Sequence, residues 1–318
     1  MSIFKLDPAF KDYIWGGTRL RDEYGKKCDY DKVAESWDLS CHKDGPSVVA
    51  DGEYKGLTLN EYIEKAGKGV LGKNCERFEN FPILIKLIDA KDNLSVQVHP
   101  DNDYAMRVEG EYGKTEMWYV VDCDEGATLL YGFKHEITKE EFARRIADNT
   151  LLEVTNAVPV KKGDVFFIKS GTLHAIGKGI LIAEIQQNSN TTYRIYDYGR
   201  VGKDGKPREL HVNKALDVTK LAPAEQYPET PVEKKDGYDI KLLSKCEYFT
   251  TYRVNVETKA ELDADENSFN SILVLEGEPV ISGGETVSAK KGESVFISAG
   301  TGKYTVEGKC TFVLTKID

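Results

Sequence analysis

The chain has 318 residues, and its 43 Lys and Arg against 53 Asp and Glu give a formal net charge of −10. That length suggests two domains, each able to bury a core of its own. The acidic balance excludes a broad nucleic-acid or membrane-surface footprint, so an anionic ligand would need a local basic pocket. Residues 1–8 carry no apolar leader core, and no segment is apolar enough to span a bilayer. Cys28, Cys41, Cys75, Cys123, Cys246 and Cys310 lie scattered with no C-x-x-C pair. That argues against a zinc finger, a redox motif or a disulfide framework, and a reducing cytoplasm is the expected compartment.

Taken in chain order, Gly16-Gly17-Thr18-Arg19-Leu20 superficially has the look of a nucleotidyltransferase phosphate loop, but no apolar strand precedes it, and it reads as a turn. Residues 58–66 carry Leu59, Tyr62 and Ile63 at helical spacing. Residues 81–88 form an apolar strand-like run. In residues 94–100, Leu94, Val96 and Val98 alternate with Ser95, Gln97 and His99, the period of a strand with one apolar and one polar face. Gln97 and His99 then project from one face, roughly 7 Å apart along the backbone. Strand-like residues 117–121 follow Lys114 and Glu116, whose spacing of two puts both on the same face. A second helix is predicted over 138–149, with Phe142, Ile146 and Ala147 behind a Thr138/Glu141 capping box. Further strands are expected at 164–169, 180–187, 271–275 and 293–298. Glu184, Gln186 and Asn188 recur at period two, as on a strand lining a lumen, and the polar segment Ser189-Asn190-Thr191-Thr192-Tyr193-Arg194 follows. Proline-rich residues 221–231 read as a linker. The pattern is mainly β and antiparallel, with a few peripheral helices.

One unit occurs twice. Lys161-Lys162-Gly163-Asp164-Val165-Phe166-Phe167-Ile168-Lys169-Ser170-Gly171-Thr172-Leu173-His174 aligns without a gap on Lys290-Lys291-Gly292-Glu293-Ser294-Val295-Phe296-Ile297-Ser298-Ala299-Gly300-Thr301-Gly302-Lys303. A repeated strand–turn–strand unit on either side of a linker predicts two copies of one small barrel, divided as residues 1–222 and 223–318. Lys303 stands where the first copy has His174, and a lysine is a poor zinc ligand at neutral pH, so the second barrel is expected to lack a metal.

Gln97, His99, Glu116 and His174 make a four-donor set of two imidazoles, one carboxylate and one amide oxygen, suited to a divalent ion such as zinc. One anionic ligand against a dication leaves the metal a strong Lewis acid. About one zinc per chain is expected. His42, His135 and His211 have no such company and read as surface or supporting groups.

On these residues the chain resembles the type I mannose-6-phosphate isomerases in their short bacterial form. The matching pieces are Tyr13-Ile14-Trp15-Gly16-Gly17-Thr18-Arg19-Leu20, Ala34-Glu35-Ser36-Trp37, the segments around Gln97/His99, Glu116 and His174, and Glu184 through Arg194, in family order over roughly residues 1–215. The resemblance implies two cupin-type (jelly-roll) β-barrels, zinc held by Gln97, His99, Glu116 and His174, and a sugar-phosphate site lined by Ser95, Lys114, Glu184 and Arg194. It implies conversion of mannose 6-phosphate to fructose 6-phosphate through an enediolate. Asn190 replaces an acidic residue often seen in the family, and Lys169 replaces a proline common in cupin turns. Arg194 is expected to meet enediolate charge or hold the phosphate, and Lys114 to anchor phosphate or shuttle a proton. Glu184, Lys114 and a metal-bound water all stand as candidates for moving the proton. Rival readings are an Fe(II)-dependent cupin oxygenase and a non-catalytic sugar-binding cupin. The partner implied is a small sugar phosphate, not a membrane or nucleic acid, with oligomeric state unassigned.

Overall fold

The structure is a computed structural model that describes residues 2–202 and 205–318. It is mainly β, built of antiparallel sheets with short peripheral helices. In the N-terminal part, a six-stranded sheet runs in the order Val165–Ile168, Glu116–Cys123, Ile180–Gln187, Ile83–Ala90, Glu35–Leu39, Ala9–Lys11. Facing it is a five-stranded sheet of Tyr193–Tyr196, Val96–Val98, His174–Ala175, Thr128–Phe133 and Thr155–Pro159. The C-terminal part repeats the plan with an eight-stranded and a four-stranded sheet. Two double-sheet jelly rolls result, as the repeat predicts.

The central strands of the six-stranded sheet are covered on both faces, which is why they read as near-continuous apolar runs. Along Ile180–Gln187, Ile180 and Ile182 join the core between the two N-terminal sheets, while Leu181, Ala183 and Ile185 point the other way. That second face packs on Leu243, Phe249, Leu273, Phe296 and Val313 of the C-terminal part. The interior of the C-terminal sandwich is a separate cluster containing Val254, Ile272, Val295, Tyr304 and Phe312. The strand Ile3–Asp7 pairs with Ser294–Ile297, so the first strand of the chain completes the C-terminal sheet. A cut at 222/223 leaves that strand away from the sheet it belongs to.

Gly16 and Gly17 are explained by close backbone packing. A Cβ on Gly16 would lie 2.5 Å from the Ala34 Cβ, and one on Gly17 would collide with the Asp89 carboxylate. Asp89 instead accepts the Arg19 backbone N–H at 2.9 Å, opening a four-residue helix at Arg19–Asp22. The predicted helices occur at Leu59–Ala66 and Lys139–Ala147. The capping box is at the first of them, Thr58 with Glu61. At Thr138 only half forms: its hydroxyl caps Glu141 N–H, but the Glu141 side chain turns to Arg145 at 3.2 Å. The helices Asn102–Val108 and Val212–Val218 have no sequence expectation behind them. Residues 221–231 are less free than a linker: Pro223 bridges Gly132, and the Tyr131 hydroxyl donates to the Glu225 carbonyl at 3.0 Å. No helix among the described residues is long and apolar enough to cross a membrane.

Candidate active site

The candidate ligands converge because the two N-terminal sheets face each other across one lumen. In the five-stranded sheet, His174 and Arg194 both stand opposite Gln97, which places these three side by side. His99 follows one residue after its strand ends, and Lys114 precedes the strand that begins at Glu116. In the six-stranded sheet, Glu184 stands opposite Lys86 on one side and Trp118 on the other, and Gln186 opposite Glu116.

His99, Glu116 and His174 are fully buried and form the one cluster of three metal-type donors among the described residues. The His99 Nδ1 faces the Thr191 carbonyl at 2.9 Å, and the His174 Nδ1 faces that of Thr172 at 2.8 Å. A carbonyl can only accept, so each Nδ1 carries the proton and each Nε2 is left as a lone-pair donor. The two Nε2 atoms lie 3.1 Å apart, with Glu116 oxygens 3.6 Å from His99 and 3.4 Å from His174. The Gln97 amide end lies 3.3 Å from the His174 Nε2. Tetrahedral ligands at zinc distances of about 2.0–2.1 Å are separated by about 3.3–3.4 Å, so the donors have the spacing one ion requires. Neither Glu116 oxygen finds a hydrogen bond of acceptable direction, although the Lys114 ammonium is 2.9 Å from Oε2. A buried carboxylate with a single ammonium partner, facing two imidazole lone pairs, suits a further cation.

Around the cluster lies a buried charge network. Lys86 sits between Glu35 at 3.5 Å and Glu184 at 3.3 Å, and Lys114 stands 3.8 Å from Glu184. The Trp37 indole donates to Glu35 and the Trp118 indole to Glu184, each at 2.7 Å. Three buried carboxylates, Glu35, Glu116 and Glu184, thus face two buried ammonium groups, and a dication would reverse the remaining negative charge. Burial raises the Glu184 carboxyl, but Lys114 and Lys86 outweigh it and bring it down to about 2. Burial and the neighbouring Glu184 raise Glu116 to about 7 despite Lys114. The same cavity is lined by Ser95, Gln97, Lys114, Glu184 and Arg194, so every candidate substrate contact opens into it. Arg194 donates to the Ser95 hydroxyl at 3.3 Å and to the Glu209 carbonyl at 3.0 Å.

Sequence reasoning missed Glu35, Lys86 and Arg208 in the cavity wall. Lys86 was detectable as a lone charge inside the run Ile83-Leu84-Ile85-Lys86-Leu87-Ile88. Of the other histidines, His42 is buried near Asp44 and Glu111, and His211 accepts the Arg194 backbone N–H through Nδ1 at 3.2 Å; His135 is exposed. In the second sandwich, Lys303 is exposed, and Tyr304 fills the interior with its hydroxyl bonded to Asn270 at 2.9 Å.

Burial brings the His174 imidazole down to about 4 and drives His99 well below its ordinary value. In the metal-free protein, the His174 ring is therefore expected to stay neutral until about pH 4, followed by NMR titration of its ring protons. An unfolded chain takes up that proton near 6.5, so the group removes stability progressively as pH falls from about 6.5 towards 4. Glu116 acts in the opposite sense between about 7 and its ordinary value, offsetting part of the loss. A His174 ring that titrates above pH 6 would contradict its burial.

Residues 3–126 match the catalytic domain of phosphomannose isomerase type I, and residues 239–317 match the mannose-6-phosphate isomerase cupin domain. The chain is 39% identical to the mannose-6-phosphate isomerase ManA of Bacillus subtilis over 312 residues, spanning 98% of this chain and 97% of the relative. It is 40% identical to the Streptococcus mutans mannose-6-phosphate isomerase over 291 residues, 89% of this chain and 88% of that one. A crystal structure of the mannose 6-phosphate isomerase from Bacillus subtilis superposes with a TM-score of 0.93 at 38% identity over 99% of both chains. A zinc-bound mannose 6-phosphate isomerase shares the fold at a TM-score of 0.79 and 17% identity. With relatives aligned almost end to end and a paired-imidazole, carboxylate and lysine cavity at the centre of the shared fold, the chain belongs to the type I mannose-6-phosphate isomerase family.

Proposed function

We propose that the chain interconverts mannose 6-phosphate and fructose 6-phosphate with one zinc ion per chain, held by Gln97, His99, Glu116 and His174. The observation that carries this reading is the fully buried Glu116 carboxylate beside two Nε2 lone pairs at tetrahedral spacing. When bound, zinc supplies Lewis-acid stabilisation for negative charge that develops on the sugar oxygens. Lys114 and Glu184 are the protein groups for the proton step. They stand 3.8 Å apart on the cavity wall, with the Glu184 carboxylate as the acceptor that takes the proton leaving C2 and gives it back at C1, and the Lys114 ammonium as its counter-ion. Glu184 is held as an anion by Lys86, Lys114 and Trp118, so it is the unprotonated member of the pair. Ser95 orients Arg194, whose guanidinium meets developing enediolate charge.

Residues 1–222 carry this chemistry, and residues 223–318, completed by the strand Ile3–Asp7, form a metal-free partner sandwich whose interior Tyr304 occupies. The six unpaired cysteines suit a reducing cytoplasm. An Fe(II) oxygenase would have little use for Gln97 as a donor beside Lys114 and Arg194, and a passive sugar-binding cupin would not need an open Lewis-acid centre. A coupled assay for fructose 6-phosphate, run before and after chelation and after zinc is restored, tests the reading. Unphosphorylated mannose is expected to be turned over with a kcat/KM about 10²-fold lower, because phosphate binding far from the reacting carbons helps orient the sugar. Equal kcat/KM for the two sugars would point to a neutral-sugar isomerase.

A further inference from the structure

The cavity wall includes an arginine that neither the metal centre nor the proton step uses. Arg208 lines the same cavity as Arg194, although it lies fourteen residues further along the chain. Its segment is fastened beside the Tyr193–Tyr196 strand: His211 N–H donates to the Arg194 carbonyl at 2.7 Å, and Arg194 Nη1 donates to the Glu209 carbonyl at 3.0 Å. The Arg208 guanidinium is fixed by Asp197, which accepts from Nε at 2.8 Å and from Nη2 at 2.6 Å. Asp197 is itself only 6% exposed and also accepts from Arg200 Nη2 at 2.5 Å. Arg200 is tied to the Asn93 carbonyl and does not line the cavity. Two guanidiniums, those of Arg208 and Arg200, therefore share one buried carboxylate at the edge of the site, with Arg194 close by in the same wall. This is a concentrated positive field in a chain of net charge −10. Asp197 takes up Nε and Nη2 and not Nη1, so Arg208 is held in place with donor capacity to spare. With its side-on edge taken by Asp197, the guanidinium presents its Nη1 end in a fixed direction, which suits a phosphate oxygen better than a flexible ammonium would.

We propose that Arg208, positioned by Asp197, is the residue that binds the phosphate group of the substrate and so selects a phosphorylated over a neutral sugar. This rests on the sugar-phosphate reading of the site, and it leaves Arg194, beside Ser95 and Gln97, to the reacting end of the molecule. Asp197 acts through Arg208 and is a positioning residue.

The test uses the full-length, zinc-loaded enzyme with two probes, mannose 6-phosphate as substrate and inorganic phosphate as a competitive inhibitor. Arg208→Ala is expected to raise the KM for the substrate and the inhibition constant for phosphate by a common factor of about 10–100, the loss expected of one charged hydrogen-bonding partner, with kcat within about threefold. Arg208→Lys, which keeps the charge and loses the fork, should recover only part of both. Asp197→Asn should move both constants in the same direction by less. Arg208 is partly exposed, so its variants are expected to fold, and their melting temperatures check this directly. An unchanged inhibition constant for phosphate in Arg208→Ala overturns the proposal, as does a fall in kcat with KM and the inhibition constant unmoved. Failure of the wild-type enzyme to isomerise mannose 6-phosphate would instead bring down the substrate reading, and the proposal with it.

Discussion

Replacing His99 by alanine is expected to remove metal and activity together, with kcat falling by at least about 10³-fold, since several kcal/mol of transition-state charge stabilisation goes with the ion. The His99 imidazole is 1% exposed and contributes one of two neutral nitrogen donors, so nothing nearby can take its place. Lys114, 3.3 Å from its Nε2, is a cation and would oppose the ion it neighbours. The fold should survive, because the four apolar clusters that hold the sheets together do not include His99. The local cost is the Thr191 carbonyl left without its donor, about 1–3 kcal/mol. Elemental analysis, the coupled isomerase assay and a melting curve on the same preparation decide the matter. Metal retained with activity lost would move His99 from ligand to proton carrier. Two equivalents of zinc in the wild-type protein would overturn the assignment of a single site per chain.

The candidate metal donors were legible in the sequence because each lies on or beside a strand. Gln97 and His99 share a face by period two, and the glycine turn before His174 repeats at Gly300 with the same left-handed backbone, φ +86° and +77°. Alternation also separated the two faces of Ile180–Gln187 and so put Glu184 in the lumen. Lys114 reached the pocket as its spacing from Glu116 implied, but from the residues before the strand and not from within it. What sequence could not supply was cross-strand register. The pairing of Lys86 with Glu184 depends on which residues of two distant apolar strands stand opposite each other. Arg208 and Asp197 were invisible for a different reason. Their segment is polar and irregular, and its place is set by backbone bonds to Arg194 and not by any periodicity of its own. The capping box at Thr58 went unread and the one at Thr138 was only half formed, since an i,i+4 arginine competed for the Glu141 carboxylate.

Arg194→Ala is expected to lower kcat by about 10²–10³ per folded, zinc-loaded molecule while the melting temperature changes little. The guanidinium could in principle be a structural ion-pair partner at the end of its strand. Among the described residues, however, no carboxylate lies within ion-pairing distance of Arg194, whose side chain donates to the Ser95 hydroxyl and the Glu209 carbonyl. Burial, with Arg208 and Arg200, works against its charge and outweighs the support from Asp197 and Glu209, so holding a cation there costs stability that an anionic reacting centre would offset. Its register places it opposite Gln97, which His174 flanks on the other side, whereas Asp197 bonds to Arg208. The two arginines should therefore separate by kinetic signature: Arg208 through KM and phosphate inhibition, Arg194 through kcat. Arg194→Lys keeps the charge but loses the planar fork, and a sizeable part of the kcat defect should persist. The deciding measurements are kcat normalised to bound zinc and a melting curve for each variant. A destabilised Arg194→Ala whose surviving folded fraction retains near wild-type kcat would make the residue structural and leave charge stabilisation to zinc and Lys114.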